Sequence, residues 1–193
     1  MLPVLNKFRY RIIAIGGSAG SFSVINAILQ RLPANYRIPI MMGLHRLKDK
    51  REGFQEALSL RAAIEVVEPY DKEVIHSGVA YLAPANYHLL VDFPGNCALS
   101  TTELVQFSRP SIDVLFESVA DVYGRDALAI LLSGANKDGA DGICRIKKKG
   151  GLTIVQDPDE CAMPTMPKAA LQATSIDHIL KTEQIVELLR HLH

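Results

Sequence analysis

Short apolar runs alternate with amphipathic stretches along most of the chain, the pattern of β-α-β units wound around a mostly parallel sheet. The first run, residues 11–15, precedes a helical repeat over residues 22–31 that places Val24, Ile25, Ile28 and Leu29 on one face. A second strand is expected at residues 39–44. Residues 51–60 then read as a helix with Phe54, Ala57, Leu58 and Leu60 apolar, and residues 64–67 as a strand.

Between residues 74 and 101 the texture changes. The runs Val79-Ala80-Tyr81-Leu82-Ala83, Tyr87-His88-Leu89-Leu90-Val91 and Cys97-Ala98-Leu99 are separated by Pro84-Ala85-Asn86 and Pro94-Gly95-Asn96, which predicts hairpins inserted in, or at the edge of, the parallel sheet. Helical spacing resumes over residues 110–122, with Ile112, Leu115, Phe116 and Val119 on one face and Pro110 in the first turn. Residues 127–132 are apolar throughout and predict an interior strand. Residues 140–149 predict a helix ending in Lys147-Lys148-Lys149 before Gly150-Gly151, where the lysines read as a carboxyl-terminal cap rather than a binding patch. Strand, helix, strand and helix are then expected at 152–155, 167–173, 178–180 and 182–192. The predicted fold class is α/β, a doubly wound, mostly parallel sheet with flanking helices and an antiparallel hairpin insertion, forming a single domain over residues 1–193.

Composition narrows the functional classes. With 48% hydrophobic residues in 193, the chain can bury a substantial core. Lys+Arg and Asp+Glu both total 21, so the basic excess of a nucleic-acid binder is absent. Cys97, Cys144 and Cys161 lack paired spacing, which argues against a disulfide framework or a cysteine-rich zinc site and for a reducing compartment. No apolar run approaches the roughly 20 residues that span a bilayer. Residues 1–10 include Lys7 and Arg9 but lack the apolar stretch of a signal peptide. A soluble, cytoplasmic protein without membrane insertion is the expectation.

In an open parallel sheet, ligands bind outside the carboxyl ends of the strands, so side chains just past those ends converge. Ser18 follows Gly16-Gly17, His45 follows Leu44, and Asp138 lies in Ser133-Gly134-Ala135-Asn136-Lys137-Asp138. Ser18 would be a nucleophile, His45 its general base, and Asp138 the anion that orients and charges the imidazole. Backbone amides of Ala19 and of Ala135 are candidates for an oxyanion hole beside the start of the first helix. Taken alone, the glycine turn around Ser18 suits a phosphate cradle equally well. A dinucleotide site, however, places an acid at the tip of the second strand, where this chain has His45. Asp138 alone would read as the N-cap of the helix opening at Gly139-Ala140. His76, His88, His178, His191 and His193 have no metal-ligand spacing and receive no role, and neither a metal nor another cofactor is expected.

These motifs together resemble the catalytic domain of the CheB family, the protein-glutamate methylesterases of bacterial chemotaxis. Gly16-Gly17-Ser18-Ala19-Gly20-Ser21 is similar to the family's Gly-Ala-Ser-Thr-Gly-Gly, and Leu44-His45-Arg46-Leu47 to its Gln-His-Met-Pro. Tyr81-Leu82-Ala83-Pro84 with His88, and Ser133-Gly134-Ala135-Asn136-Lys137-Asp138-Gly139-Ala140, resemble two further blocks. Arg109-Pro110-Ser111-Ile112-Asp113-Val114-Leu115-Phe116 is the most specific match, and Gln156-Asp157 with Met166-Pro167 echo the last. The resemblance implies a Ser-His-Asp hydrolase, on Ser18, His45 and Asp138, that demethylates glutamate methyl esters on the cytoplasmic helices of chemoreceptors and releases methanol. In some members the same site deamidates glutamine. Ala19 stands where the family has threonine, Arg46 where it has methionine, and Ser108 where it has histidine. Ala19 lacks the threonine hydroxyl that could donate near the oxyanion, and the changes at Arg46 and Ser108, with Leu47, Glu160, Pro164 and Thr165, alter polarity where a receptor helix would lie. They motivate the alternative of a catalytically weak or inactive member that binds a receptor or signalling protein. About ten residues precede the first strand, leaving no room for the family's receiver domain, so control by a separate regulatory or receiver protein, or by expression, is one expectation and a fragment is the other.

Overall fold

The computed structural model describes residues 9–46 and 53–192. In chain order the elements are β1 (Ile12–Gly17), α1 (Phe22–Arg31), β2 (Ile40–Leu44), α2 (Phe54–Ser59), β3 (Glu65–Val67), β4 (Val79–Leu82), β5 (His88–Asp92) and β6 (Asn96–Ser100). They continue as α3 (Ile112–Tyr123), β7 (Ala127–Leu131), α4 (Ala140–Lys148), β8 (Leu152–Gln156), α5 (Thr165–Ala173), β9 (His178–Leu180) and α6 (Thr182–Arg190). Among the described residues, seven strands pair in the order β3-β4-β2-β1-β7-β8-β9. Each of these pairings is parallel, and β5 and β6 form a separate antiparallel hairpin.

Alternation along the central strands divides the core in two. Ile13 and Ile15 of β1, with Leu128 and Ile130 of β7, face α1, α2 and α6. Ile12 and Ala14, with Ala127, Ala129 and Leu131, face α3, α4, α5 and the hairpin. Small side chains on this second face let α3 lie close to the sheet. At Gly16 the approach is closest, since a Cβ there would sit 2.3 Å from Ile112 Cγ2. The site is therefore built around a helix pressed onto the sheet's central strand.

The α/β architecture with its hairpin insertion agrees with the sequence reading, and several local features differ. Residues 79–82 do not join a hairpin. They are inserted as β4 between β3 and β2, in parallel with both. Short apolar runs buried on both faces carry no periodicity that separates a parallel strand from a hairpin arm, and Pro84-Ala85-Asn86 marks the exit from the strand. Pro110 is outside the first turn of α3, because the N-cap is Ser111, with an extended backbone and a side chain that accepts from Val114 N. Asp138 does not cap α4, whose N-cap is Gly139 at φ +95°. Residues 51 and 52, expected to open a helix, lie outside the described residues, as does Leu47. The lysine run is engaged in ion pairs, Lys147 with Asp177 and Lys149 with Asp121 at 3.5 Å.

Candidate active site

The site forms where the chain leaves β1, the strand flanked by β2 on one side and β7 on the other. Gly17 is in register with Leu44, and His45 N donates to Gly17 O at 3.1 Å. On the other edge Leu132 N donates to Gly16 O at 2.8 Å, and Ser18 N donates to Ser133 O at 2.9 Å. Ser18 and His45 are thus the first residues beyond the paired ends of adjacent strands, whose spacing is about 4.8 Å. This is the switch-point crevice in which open α/β sheets bind ligands.

Asp138 arrives from the β7–α4 loop and is fully buried. His45 Nε2 lies 2.6 Å from Asp138 Oδ2, and the imidazole keeps 13% of its side-chain surface exposed. Asp138 also accepts Ser111 Oγ at 2.8 Å, Ile112 N at 2.7 Å and Asp113 N at 3.0 Å. Two of these donors are first-turn amides of α3, so the carboxylate occupies the positive end of a neighbouring helix. Burial works to raise its pKa. The hydrogen bonds from His45 and the two amides outweigh burial and hold the carboxyl below the usual aspartate value. A carboxylate held in its charged form against Nε2 assigns that nitrogen the proton and leaves Nδ1 as the basic lone pair.

The support behind this pair was not read from the sequence as functional. Asp113 Oδ1 accepts Gly139 N and Gly142 N, both at 2.8 Å, and so caps α4 from the first turn of α3. Burial, opposed by the Gly142 amide and reinforced by the charge of Asp138, pushes the Asp113 carboxyl up to about 7. His88, which the sequence left without a role, is fully buried and accepts Ser111 N on Nδ1 at 3.1 Å while Nε2 donates to Glu103 O at 3.0 Å. It fixes the segment that delivers Ser111 to Asp138. The only signal for Ser111 and Asp113 was their place in the Arg109–Phe116 motif.

Ser18 is half-buried, and among the described residues its hydroxyl has no hydrogen-bond partner, so the structure does not join it to His45 directly. Its amide is committed to Ser133 O. The Ala19 and Ala135 amides have no partner among the described residues, and both residues are exposed. Ser133 Oγ donates to Ala19 O at 2.8 Å and accepts Met163 N at 3.0 Å, tying together the loops that follow β1, β7 and β8. Gly20 at φ +86° turns the chain into α1 in a conformation suited to glycine.

Ser108 Oγ lies 3.5 Å from His45 Nδ1. Arg46, expected on a receptor-facing surface, is instead an internal strut: its side chain is 2% exposed, pairs with Glu68, and lies 5.0 Å over the Phe54 ring. Burial of a guanidinium demands such a partner, which the sequence spacing of 22 residues to Glu68 did not signal.

Comparison with known proteins decides the family. The sequence profile described as CheB methylesterase matches residues 13–189. The chain belongs to the CheB methylesterase family. Its members are carboxylic ester hydrolases. A putative protein-glutamate methylesterase/protein-glutamine glutaminase of Leptospira interrogans serogroup Icterohaemorrhagiae is 43% identical over 180 residues, 93% of each chain. Protein-glutamate methylesterase/protein-glutamine glutaminase 1 of Saccharophagus degradans is 36% identical over 91% of this chain and 48% of its own length. The crystal structure of the Thermotoga maritima CheB methylesterase catalytic domain superposes with a TM-score of 0.89 at 28% identity, covering 95% of this chain and 99% of that one. The parallel sheet, its flanking helices and the separate hairpin are thus the CheB catalytic-domain fold. Among the described residues, no helix is long and apolar enough to cross a membrane.

Proposed function

We propose that this chain is a serine hydrolase that cleaves methyl esters of glutamate side chains on the cytoplasmic helices of chemoreceptors, releasing methanol, and that it deamidates glutamine at the same site. The observation that carries the reading is the 2.6 Å His45–Asp138 pair at the tip adjacent to Ser18. The names of the Leptospira and Saccharophagus relatives, which give both methylesterase and glutaminase, support the substrate.

In the proposed reaction Ser18 Oγ attacks the ester carbonyl as His45 Nδ1 takes its proton, and Asp138 stabilises the imidazolium at Nε2. The Ala19 and Ala135 amides receive the oxyanion, a donor of this kind contributing about 3 kcal/mol to the barrier. Collapse of the tetrahedral intermediate breaks the C–O bond to methoxide, which takes the proton from Nδ1 and leaves as methanol. Water, deprotonated by the same nitrogen, then attacks the acyl-serine and regenerates Ser18 with a free glutamate carboxylate. A glutamine amide passes through the same steps with ammonia as leaving group. A chemoreceptor and a separate regulatory protein are the partners that this role implies, and the cytoplasm is its compartment.

Methanol release from methylated receptor fragments tests the reading. Wild type releases methanol and Ser18→Ala loses at least a thousandfold in kcat. Undiminished release by Ser18→Ala contradicts it.

A further inference from the structure

Residues 105–108 make a two-residue reverse turn beside the site. Val105 N donates to Ser108 O at 3.2 Å and Ser108 N to Val105 O at 2.9 Å, with Gln106 and Phe107 at the apex at φ +48° and φ +61°. Turns with both central residues left-handed favour asparagine and glycine, and a bulky aromatic there is strained. The Phe107 ring gains nothing from the fold in return. It is 95% exposed, and Leu104 beside it is 43% exposed.

The turn is also fixed in place at its base. Arg109 Nη1 donates to Thr101 O at 2.6 Å and Thr102 O at 2.8 Å, its Nη2 to Asn86 Oδ1 at 2.8 Å, and His88 holds Glu103 O. At the other end Ser108 Oγ stands 3.5 Å from the basic nitrogen of His45. Phe107 is the residue before Ser108, the two Cα atoms lying about 3.8 Å apart. A helix with its side chains is about 10–12 Å across. An ester carried on a helix therefore cannot bring its carbonyl to His45 without covering the turn, whereas a small ester can.

We infer that Phe107, with Leu104, is the apolar contact by which the enzyme seats a methyl-esterified helix over Ser18 and His45, so that it selects macromolecular over small esters. This rests on the methylesterase reading above. An apolar side chain from the helix surface packs on the ring when the ester enters. The local strain is tolerated because it holds the ring outward, where none of the described residues covers it and a partner can.

The test compares wild type, Phe107→Asn and Phe107→Leu on methylated receptor fragments and on N-acetyl-glutamate γ-methyl ester amide. Asparagine suits the left-handed backbone, so the fold is kept or strengthened. Phe107→Asn should lower the ratio of receptor to small-ester kcat/KM at least tenfold, through KM for the receptor, and Phe107→Leu should restore part of it. A ratio within twofold of wild type in Phe107→Asn overturns the inference, as does an equal loss on both substrates. Hydrolysis of the small ester by wild type with no methanol from the receptor fragments overturns the receptor reading itself, and this inference with it.

Discussion

Asp138 and Asp113 cap each other's helices. The carboxylate of Asp138, just ahead of α4, accepts the first amides of α3, and Asp113, in the first turn of α3, accepts Gly139 N and Gly142 N at the start of α4. The exchange locks two helix ends together and fixes where Asp138 meets His45. Asp113→Ala strands two buried amides, and it is expected to cost about 2–5 kcal/mol of stability and at least tenfold in kcat with KM little changed. Asp113→Asn keeps the acceptor oxygen and should recover most of both. Urea unfolding together with kcat and KM for the pair checks this, and an asparagine variant as impaired as alanine would contradict it.

The same residue gives stability a definite pH dependence. Asp113 ionises near 3.8 when unfolded and near 7 in the fold, so between those values the folded state holds the extra proton. Stability from this group is complete below the lower value and is lost as pH rises through the upper one. Asp138, with a lowered pKa, acts in the opposite direction: its contribution is present above the unfolded value and is lost as pH falls through its folded one. Removing the Asp113 titration should therefore make Asp113→Asn gain on wild type by about 1 kcal/mol or more between pH 4.5 and pH 8, one pKa unit being about 1.4 kcal/mol. A difference that stays flat across those denaturation curves would refute the assignment.

Ser111 and Gly16 test the seating of α3. Ser111→Ala removes both the hydrogen bond to Asp138 and the N-cap, for an expected loss of about 1–2 kcal/mol and a several-fold drop in kcat. At Gly16 an alanine Cβ would meet Ile112 Cγ2 at 2.3 Å and Phe116 Cζ at 3.1 Å. Overpacking of this kind costs about 1–3 kcal/mol, and here it also pushes away the helix end that holds Asp138. Gly16→Ala should thus lose activity beyond its loss of stability. Full kcat in a folded variant would show that the close approach of α3 is unnecessary.

Where one periodicity dominated, the sequence was sufficient: Phe22–Arg31 was read at its full length, and β1, β2 and β7 end where their tip residues require. The placement of Ser18, His45 and Asp138 at one sheet edge was legible because strand ends bring distant positions together. Residues 79–82 were misplaced because a short run buried on both faces looks the same in a hairpin or a parallel strand. Asp113 and His88 act through contacts of 15 residues or more in sequence, as do most of the groups that hold Asp138. No local spacing encodes such contacts, and the same is true of the Arg46–Glu68 pair.

In the proposed mechanism Ser18, rather than Ser108 at 3.5 Å from His45 Nδ1, is the nucleophile activated by the His45–Asp138 pair. Labelling with a fluorophosphonate probe, followed by mapping of the modified peptide, tests it most directly. One adduct is expected, on Ser18, formed by wild type and Ser108→Ala and absent from His45→Ala and Ser18→Ala. An adduct on Ser108, or labelling of Ser18 that persists in His45→Ala, would contradict it.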